Sequence, residues 1–375
     1  MKERLVIENF GPIKHVDLNL NKINIFIGPN ASGKSTISKI IGIVKNAELY
    51  NHFNKKNDKN WINLFLDNLN IFTYINSKSI IKYENDKYKI LKTAYKKNIS
   101  LKDVDINFTD KDFTDKSNLF KIFTSKLDFS KLLFIPMERS FISTVSSSLM
   151  SLITNDVSLP KYITSFGSDF EKARKYHNIY YIDFMNINYS FQDNIDIITS
   201  KKDGNRILLS ESASSIQSVV PLFLTMIYST VNFIRNHFVI EEPELNLFPE
   251  TQKGLVSFLT ENTYKNNNSL TVNTHSPYIL MALNNLIEAD NVLKELKKGK
   301  TDNKILSERK EEIKKIVKSE KFIDFDDIAV YYIHSDGTAE DIKDYENRLI
   351  NAEKIDSVSD IFADEVDALA DIKFQ

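Results

Sequence analysis

The chain has 375 residues, with 49 Lys and Arg against 51 Asp and Glu, a formal net charge of −2 and no cysteine. With 42% hydrophobic and 11% aromatic residues it can build a sizeable core, which excludes wholesale disorder and suits one large or two medium domains. The missing thiol excludes disulfides, zinc–thiolate sites, iron–sulfur clusters and thiol catalysis, whereas the near-neutral balance excludes neither nucleic acid nor protein partners.

The opening MKERLVIENFGPIKHVDLNL is charged and alternating rather than basic and then apolar, so no secretory signal is expected and the chain reads as cytoplasmic. Turn signals at 9–12 and 21–22 divide residues 1–27 into three short strands, the third at 23–27. GPNASGKST follows it. A helix is expected from Gly33 through Ile37, Ile40, Ile41 and Val44, which share one helical face. Residues 45–126 are rich in Lys and Asn and lack glycine, and inside them 71–74, 79–83 and 88–91 read as a meander of strands.

Residues 132–135 read as a buried strand running into PMERS, and 141–153 and 170–176 as helices. Asp203 and Gly204 should turn a hairpin between 195–200 and 205–209. Residues 212–234 carry no charge and approach the length of a membrane span. Gln217, Ser218, Pro221, Thr225, Ser229 and Asn232 interrupt that stretch, so a buried core helix is expected and no membrane partner. Strands at 238–240 and 269–273 enclose a helix beginning near Pro249. The charged 293–321 reads as a solvated helical face, followed by a strand at 329–333, a turn at Asp336 and Gly337, and an acidic helical stretch.

Two segments carry chemistry. Gly28, Pro29, Asn30, Ala31, Ser32, Gly33, Lys34 and Ser35 match GxxxxGK[ST] between an apolar strand and an apolar-periodic helix, with Thr36 next, so backbone N–H groups there should cradle phosphate. Lys34 would reach the β- and γ-phosphates and Ser35 would offer its hydroxyl to Mg²⁺. FVIEEPE at 238–244 places adjacent carboxylates at a strand exit, where successive side chains point to opposite sides. Glu241 is assigned to the Mg²⁺ shell and Glu242 to orienting or deprotonating the attacking water. His275, in THSP at the next strand exit, is placed as a γ-phosphate sensor. The bland alternatives are a helix-capping turn, an acidic strand end and a structural histidine.

NFGPIKHVDL, GPNASGKST, ESASSIQSVVPL, VIEEPELNLFPE and VNTHSPYIL resemble, in this order, the blocks of ABC-type ATPases of the RecF and SMC kind. The chain most resembles overcoming-lysogenization-defect-like AAA ATPases without a Toprim nuclease domain, as found in retron, Septu, PARIS and abortive-infection anti-phage operons. The matching blocks cover about a third of the chain. The resemblance implies ATP and Mg²⁺ as cofactors and a homodimer that sandwiches ATP. In that sandwich Ser214, Ser215 and Gln217 would be presented to the γ-phosphate held by the other copy. It further implies a partner that is either a separately encoded effector protein or nucleic acid.

Three departures stand out. Ser215 occupies a position where many relatives have glycine, Asn246 and Phe248 stand where histidines are frequent, and no glutamine precedes Gln192 to serve a lobe-coupling loop. Arg139, in an IPAER-like segment, reads either as a nucleotide or interface residue or as half of a structural ion pair. A GTPase is excluded because no glycine lies between Gly42 and Gly167 to form a DxxG switch. A transporter ATPase would show an LSGGQ signature and a DEP motif. The DxD of Asp324 and Asp326 comes too late in the chain for a fused nuclease. A non-hydrolysing scaffold is disfavoured by Glu242.

The expected fold is α/β: an ABC-type P-loop ATPase head with a mixed sheet, an inserted mainly helical lobe and a C-terminal α/β extension. The expected division is a core of 1–47 plus 195–292, an inserted meander and helical lobe at 48–194, and a charged helix with an acidic extension at 293–375. Residues 323–375 hold 15 acids against 4 bases, so the neutral total is a sum of opposites.

Overall fold

A computed structural model of the chain describes residues 3–46, 61–86, 88–93, 97–101, 130–145, 158–176, 179–233, 235–299 and 302–351. Its centre is a mixed sheet in the order β15–β14–β3–β13–β12–β7. These strands are β3 (Ile23–Ile27), β7 (Lys131–Ile135), β12 (Asn236–Glu241), β13 (Ser269–Thr274), β14 (Ile328–Ile333) and β15 (Ala339–Asp341). All pairings are parallel except β14 with β15. Every residue of β3, β12 and β13 is buried, as expected of strands covered on both faces.

Strand alternation divides the core in two. Phe26, Phe134, Val239 and Tyr331 point to one face and pack with α1 (Lys34–Val44), α2 (Trp61–Asn68) and the strands β1 (Glu3–Phe10) and β2 (Ile13–Leu20). Ile25, Ile135, Phe238, Ile240, Val272 and Val330 point to the other. There they meet the helices α3 (Arg139–Val145), α4 (Lys161–Tyr176), α5 (Ser214–Asn232), α6 (Pro249–Tyr264) and α7 (Pro277–Lys298).

The expected meander joins the first hairpin as an antiparallel sheet, β2–β1–β4–β5–β6, through β4 (Ile80–Glu84), β5 (Tyr88–Thr93) and β6 (Lys97–Leu101). Residues 71–74 are not its first strand. Asn70 takes a left-handed φ of 56°, Phe72–Tyr74 form a 3₁₀ turn, and the Tyr74 carbonyl accepts from Gly11 N. A second antiparallel sheet, β11–β10–β9–β8, consists of β8 (Ile179–Ile182), β9 (Ile187–Gln192), β10 (Ile195–Ser200) and β11 (Arg206–Leu208), with the expected hairpin turn between the last two.

β7 comes from the 48–194 stretch and β14 from the 293–375 stretch, so the central sheet draws strands from all three segments distinguished in the sequence. Among the described residues, the 48–194 stretch contributes strands as well as helices. The helix expected at 170–176 begins at Lys161, and the one expected at 141–153 is described only as far as Val145. The charged helix is α8 (Asn303–Val317), of which only Val317 is buried. The acidic stretch after residue 351 lies outside the described residues.

The uncharged segment is α5, the one described helix long and apolar enough to cross a membrane, and 61% of its apolar window is buried against the rest of the protein. Pro221 lies within it. A proline has no N–H for the carbonyl four residues back, here Gln217, and that oxygen instead accepts from Ser143 Oγ at 2.7 Å.

Candidate nucleotide site

The phosphate loop joins β3 to α1. Gly28 and Gly33 have φ of 147° and 105°, and Ala31 is left-handed at 61°. A Cβ at Gly28 would lie 2.2 Å from the Ile333 carbonyl oxygen of β14, so the tight turn is imposed by a neighbouring strand as well as by any ligand. Gly33 is the N-cap of α1, with no capping side chain and no acid in the first turn, which leaves the positive end of the helix open. Pro29, Asn30, Ala31 and Ser35 are exposed, while Ser32, Lys34 and Thr36 are buried.

Lys34 Nζ turns back on its own loop, donating to the carbonyls of Gly28 at 2.8 Å and Pro29 at 2.7 Å. Burial brings its ammonium down to about 8, against the pull of Glu242 and Glu244 in the other direction. An anion in the loop would add to Glu242 and Glu244 in favouring the charged form of this ammonium.

The two carboxylates at the end of β12 part, Glu241 as its last residue and Glu242 in the left-handed turn that follows. Glu241 is 5% exposed. Burial raises its carboxyl, against the opposing effects of Lys39 and the Ser35 hydroxyl bond. Its Oε1 has no hydrogen-bond partner and lies 4.0 Å from Lys39 Nζ. This orphaned oxygen beside the Ser35 hydroxyl, together with the unpartnered buried Ser32 Oγ, fits a site for Mg²⁺ and phosphate. Among the described residues no three His, Asp or Glu side chains converge, so phosphate and water would have to complete the metal shell.

Glu242 faces the other way, with Oε1 3.3 Å from His275 Nε2, and this hydrogen bond is the chief cause that lowers its carboxyl. Its backbone is left-handed at φ 43°, and its N–H donates to the Asn273 carbonyl of β13 at 2.9 Å. Glu244 holds the other side of the pair: its Oε1 accepts from Thr274 Oγ1 and from His275 N, both at 2.7 Å. Ser38 on α1 bonds the Asn273 side chain, tying the phosphate helix to the same strand exit.

Arg139 is fully buried, and among the described residues it forms no ion pair within 4 Å. Its guanidinium donates to five backbone carbonyls: Pro136, Ser218, Glu241, Glu242 and Pro243. Burial brings it down to about 10, so it stays charged at neutral pH. It fastens the β12 exit to the first turns of α5, where Ser214, Ser215 and Gln217 lie. Ser214 is exposed, whereas Gln217 is turned inward, its Nε2 donating to the carbonyls of Ser210 and Ser212, both at 2.9 Å.

The structure thus brings Lys34, Ser35, Glu241, Glu242 and His275 to adjacent strand exits, while the Gln217 side chain bonds to Thr144 of α3 and to the segment just before α5. Glu138, Tyr162, Lys39 and Glu244 join the first group without having been singled out in the sequence. Glu244, inside the EEPE block, and Glu138, inside PMERS, carried a local signal; Tyr162 and Lys39 carried none.

Residues 1–141 match the family of an AAA ATPase domain. Among solved structures, the SMC head domain from Thermotoga maritima is 13% identical with a TM-score of 0.39, covering 75% of this chain and 91% of its own. The Smc head domain with an extended coiled coil, bound to the C-terminal domain of ScpA and derived from Pyrococcus furiosus, is 10% identical with a TM-score of 0.41, covering 96% and 99%. No curated protein matches the chain.

Proposed function

We propose that the chain is a Mg²⁺-dependent ATPase whose ATP-driven dimerisation acts as a switch. The observation that carries this reading is the Glu242–His275 pair, 3.3 Å apart, set at two adjacent strand exits beside the phosphate loop. Lys34 would exchange its loop carbonyls for the β- and γ-phosphates, and Ser35 with Glu241 would hold Mg²⁺. The cation would neutralise terminal phosphate charge. Glu242, kept ionised by His275, would orient or deprotonate water, and His275 would then sense the γ-phosphate.

The open, uncapped start of α5, with Ser214 exposed, supports presentation of Ser214 and Ser215 to a second copy, and Gln217 would join them by exchanging its bonds to the carbonyls of Ser210 and Ser212. The sequence resemblance to defence-operon ATPases extends the proposal to an anti-phage role, gating a separately encoded effector or sensing nucleic acid.

The test is ATP turnover together with mass in solution. Glu242→Gln is expected to retain ATP, to lose turnover by a hundred-fold or more, and to accumulate as a dimer with ATP. Turnover at the wild-type rate would refute the assignment of Glu242. Copurification from native cells addresses the output, a permease pointing to a transporter and a soluble effector or nucleic acid to the switch.

A further inference from the structure

Beside Glu241 lies a second carboxylate that the roles above leave unused. β7 and β12 pair in parallel with Ile135 opposite Ile240, so both strands exit side by side, and Glu138 follows three residues after Ile135. Arg139 locks these exits together through the carbonyls of Pro136 and Glu241. Glu138 Oε1 accepts from Tyr162 Oη of α4 at 3.3 Å, while its Oε2 is buried without a hydrogen-bond partner, as is Glu241 Oε1.

The ammonium beside Glu241 is that of Lys39. It lies 4.0 Å from Glu241 Oε1 and over the rings of Tyr162 and Phe134. The buried guanidinium of Arg139 adds a second positive charge beside the two carboxylates, but its bonds go to backbone carbonyls, so one oxygen of each carboxylate stays buried without a donor, an arrangement that is costly unless a cation completes it. Ser35, whose hydroxyl bonds Glu241, is itself exposed.

We infer that Glu138 is a further ligand, direct or through one water, of the divalent cation assigned to Ser35 and Glu241, and that Tyr162 holds it in position; this rests on the nucleotide-site reading above. A bond from α4 to a ligand of the cation makes that helix sensitive to whether nucleotide and metal are bound.

The experiment measures Mn²⁺ affinity by electron paramagnetic resonance on the full chain with AMP-PNP, and AMP-PNP affinity in EDTA. Glu138→Gln keeps the acceptor for Tyr162 and should weaken Mn²⁺ about ten-fold, with AMP-PNP affinity in EDTA unchanged. Tyr162→Phe should weaken Mn²⁺ by a smaller factor. Unchanged Mn²⁺ affinity in Glu138→Gln, or an equal loss of AMP-PNP affinity in EDTA, overturns the inference. If the wild-type chain binds no Mn²⁺ with AMP-PNP, the nucleotide-site reading itself fails.

Discussion

The carbonyl of Glu242, a residue held in left-handed backbone, accepts a 2.7 Å bond from the buried guanidinium of Arg139. A non-glycine residue at φ 43° costs on the order of 1 kcal/mol or more and persists only where its surroundings enforce it. Arg139 from one side and the Asn273 carbonyl from the other provide that enforcement. The strained turn aims the Glu242 side chain at His275 and away from Glu241.

Arg139→Met should therefore do more than remove a charge. It takes one donor from each of five carbonyls, of which that of Glu242 keeps a second bond from Leu245 N, at a cost of about 3 kcal/mol or more. Urea unfolding without nucleotide measures this, and Arg139→Lys should recover part of it. A loss under about 1 kcal/mol for Arg139→Met would show that water replaces the guanidinium.

The glycines of the phosphate loop should differ in what they support. A methyl at Gly28 meets the backbone oxygen of Ile333 at 2.2 Å, whereas one at Gly33 meets the terminal carbon of the Ile13 side chain, also at 2.2 Å. A side-chain end can rotate away and a paired strand cannot. Gly28→Ala should destabilise the nucleotide-free protein by roughly 2 kcal/mol or more, and by more than Gly33→Ala. Equal losses for the two variants would argue against the β14 contact as the cause.

His237 supplies a pH dependence. It is fully buried on β12, with Nδ1 2.6 Å from Ser269 Oγ and Nε2 3.2 Å from Thr271 Oγ1, and burial holds it well below 6.5. Above pH 6.5 both folded and unfolded states carry it neutral. Below that, the unfolded state takes up a proton that the folded state refuses, so stability falls as pH falls, by up to about 1.4 kcal/mol per unit. Urea unfolding at pH 7.5 and 5.5 should show this slope, and His237→Gln should flatten it by about that amount. An identical slope in the variant would place the acid sensitivity elsewhere.

The chemistry legible in the sequence was chemistry that is contiguous in the chain. The glycines, Lys34 and Ser35 lie within eight residues, and Glu241 and Glu242 are neighbours, so alternation and turn patterns placed them at strand exits. Residues 71–74 misled because aromatic and β-branched residues suit a strand, whereas Asn70 starts a turn and Tyr74 packs edge-on against Phe10 at 6.0 Å. The roles of Glu138 and Arg139 were hidden for another reason, although the segment that holds them stood out: their partners, Tyr162 for one and Ser218 and the β12 exit for the other, are brought to them only by packing. No pattern within the segment announces that.

The position of β14 bears on how the molecule is made. The strand that leads into the phosphate loop is complete by Ile27, yet one of its two neighbours in the sheet is residues 328–333. On a ribosome, the nascent chain exposes one edge of β3 until almost all of its described length has been synthesised. Such distant pairing is slow to form and leaves the unpaired edge open to wrong partners. The loop proposed to cradle phosphate is thus among the first parts translated and among the last completed, and a truncated translation product ending before Ile328 would lack the support of Ile333 beneath Gly28.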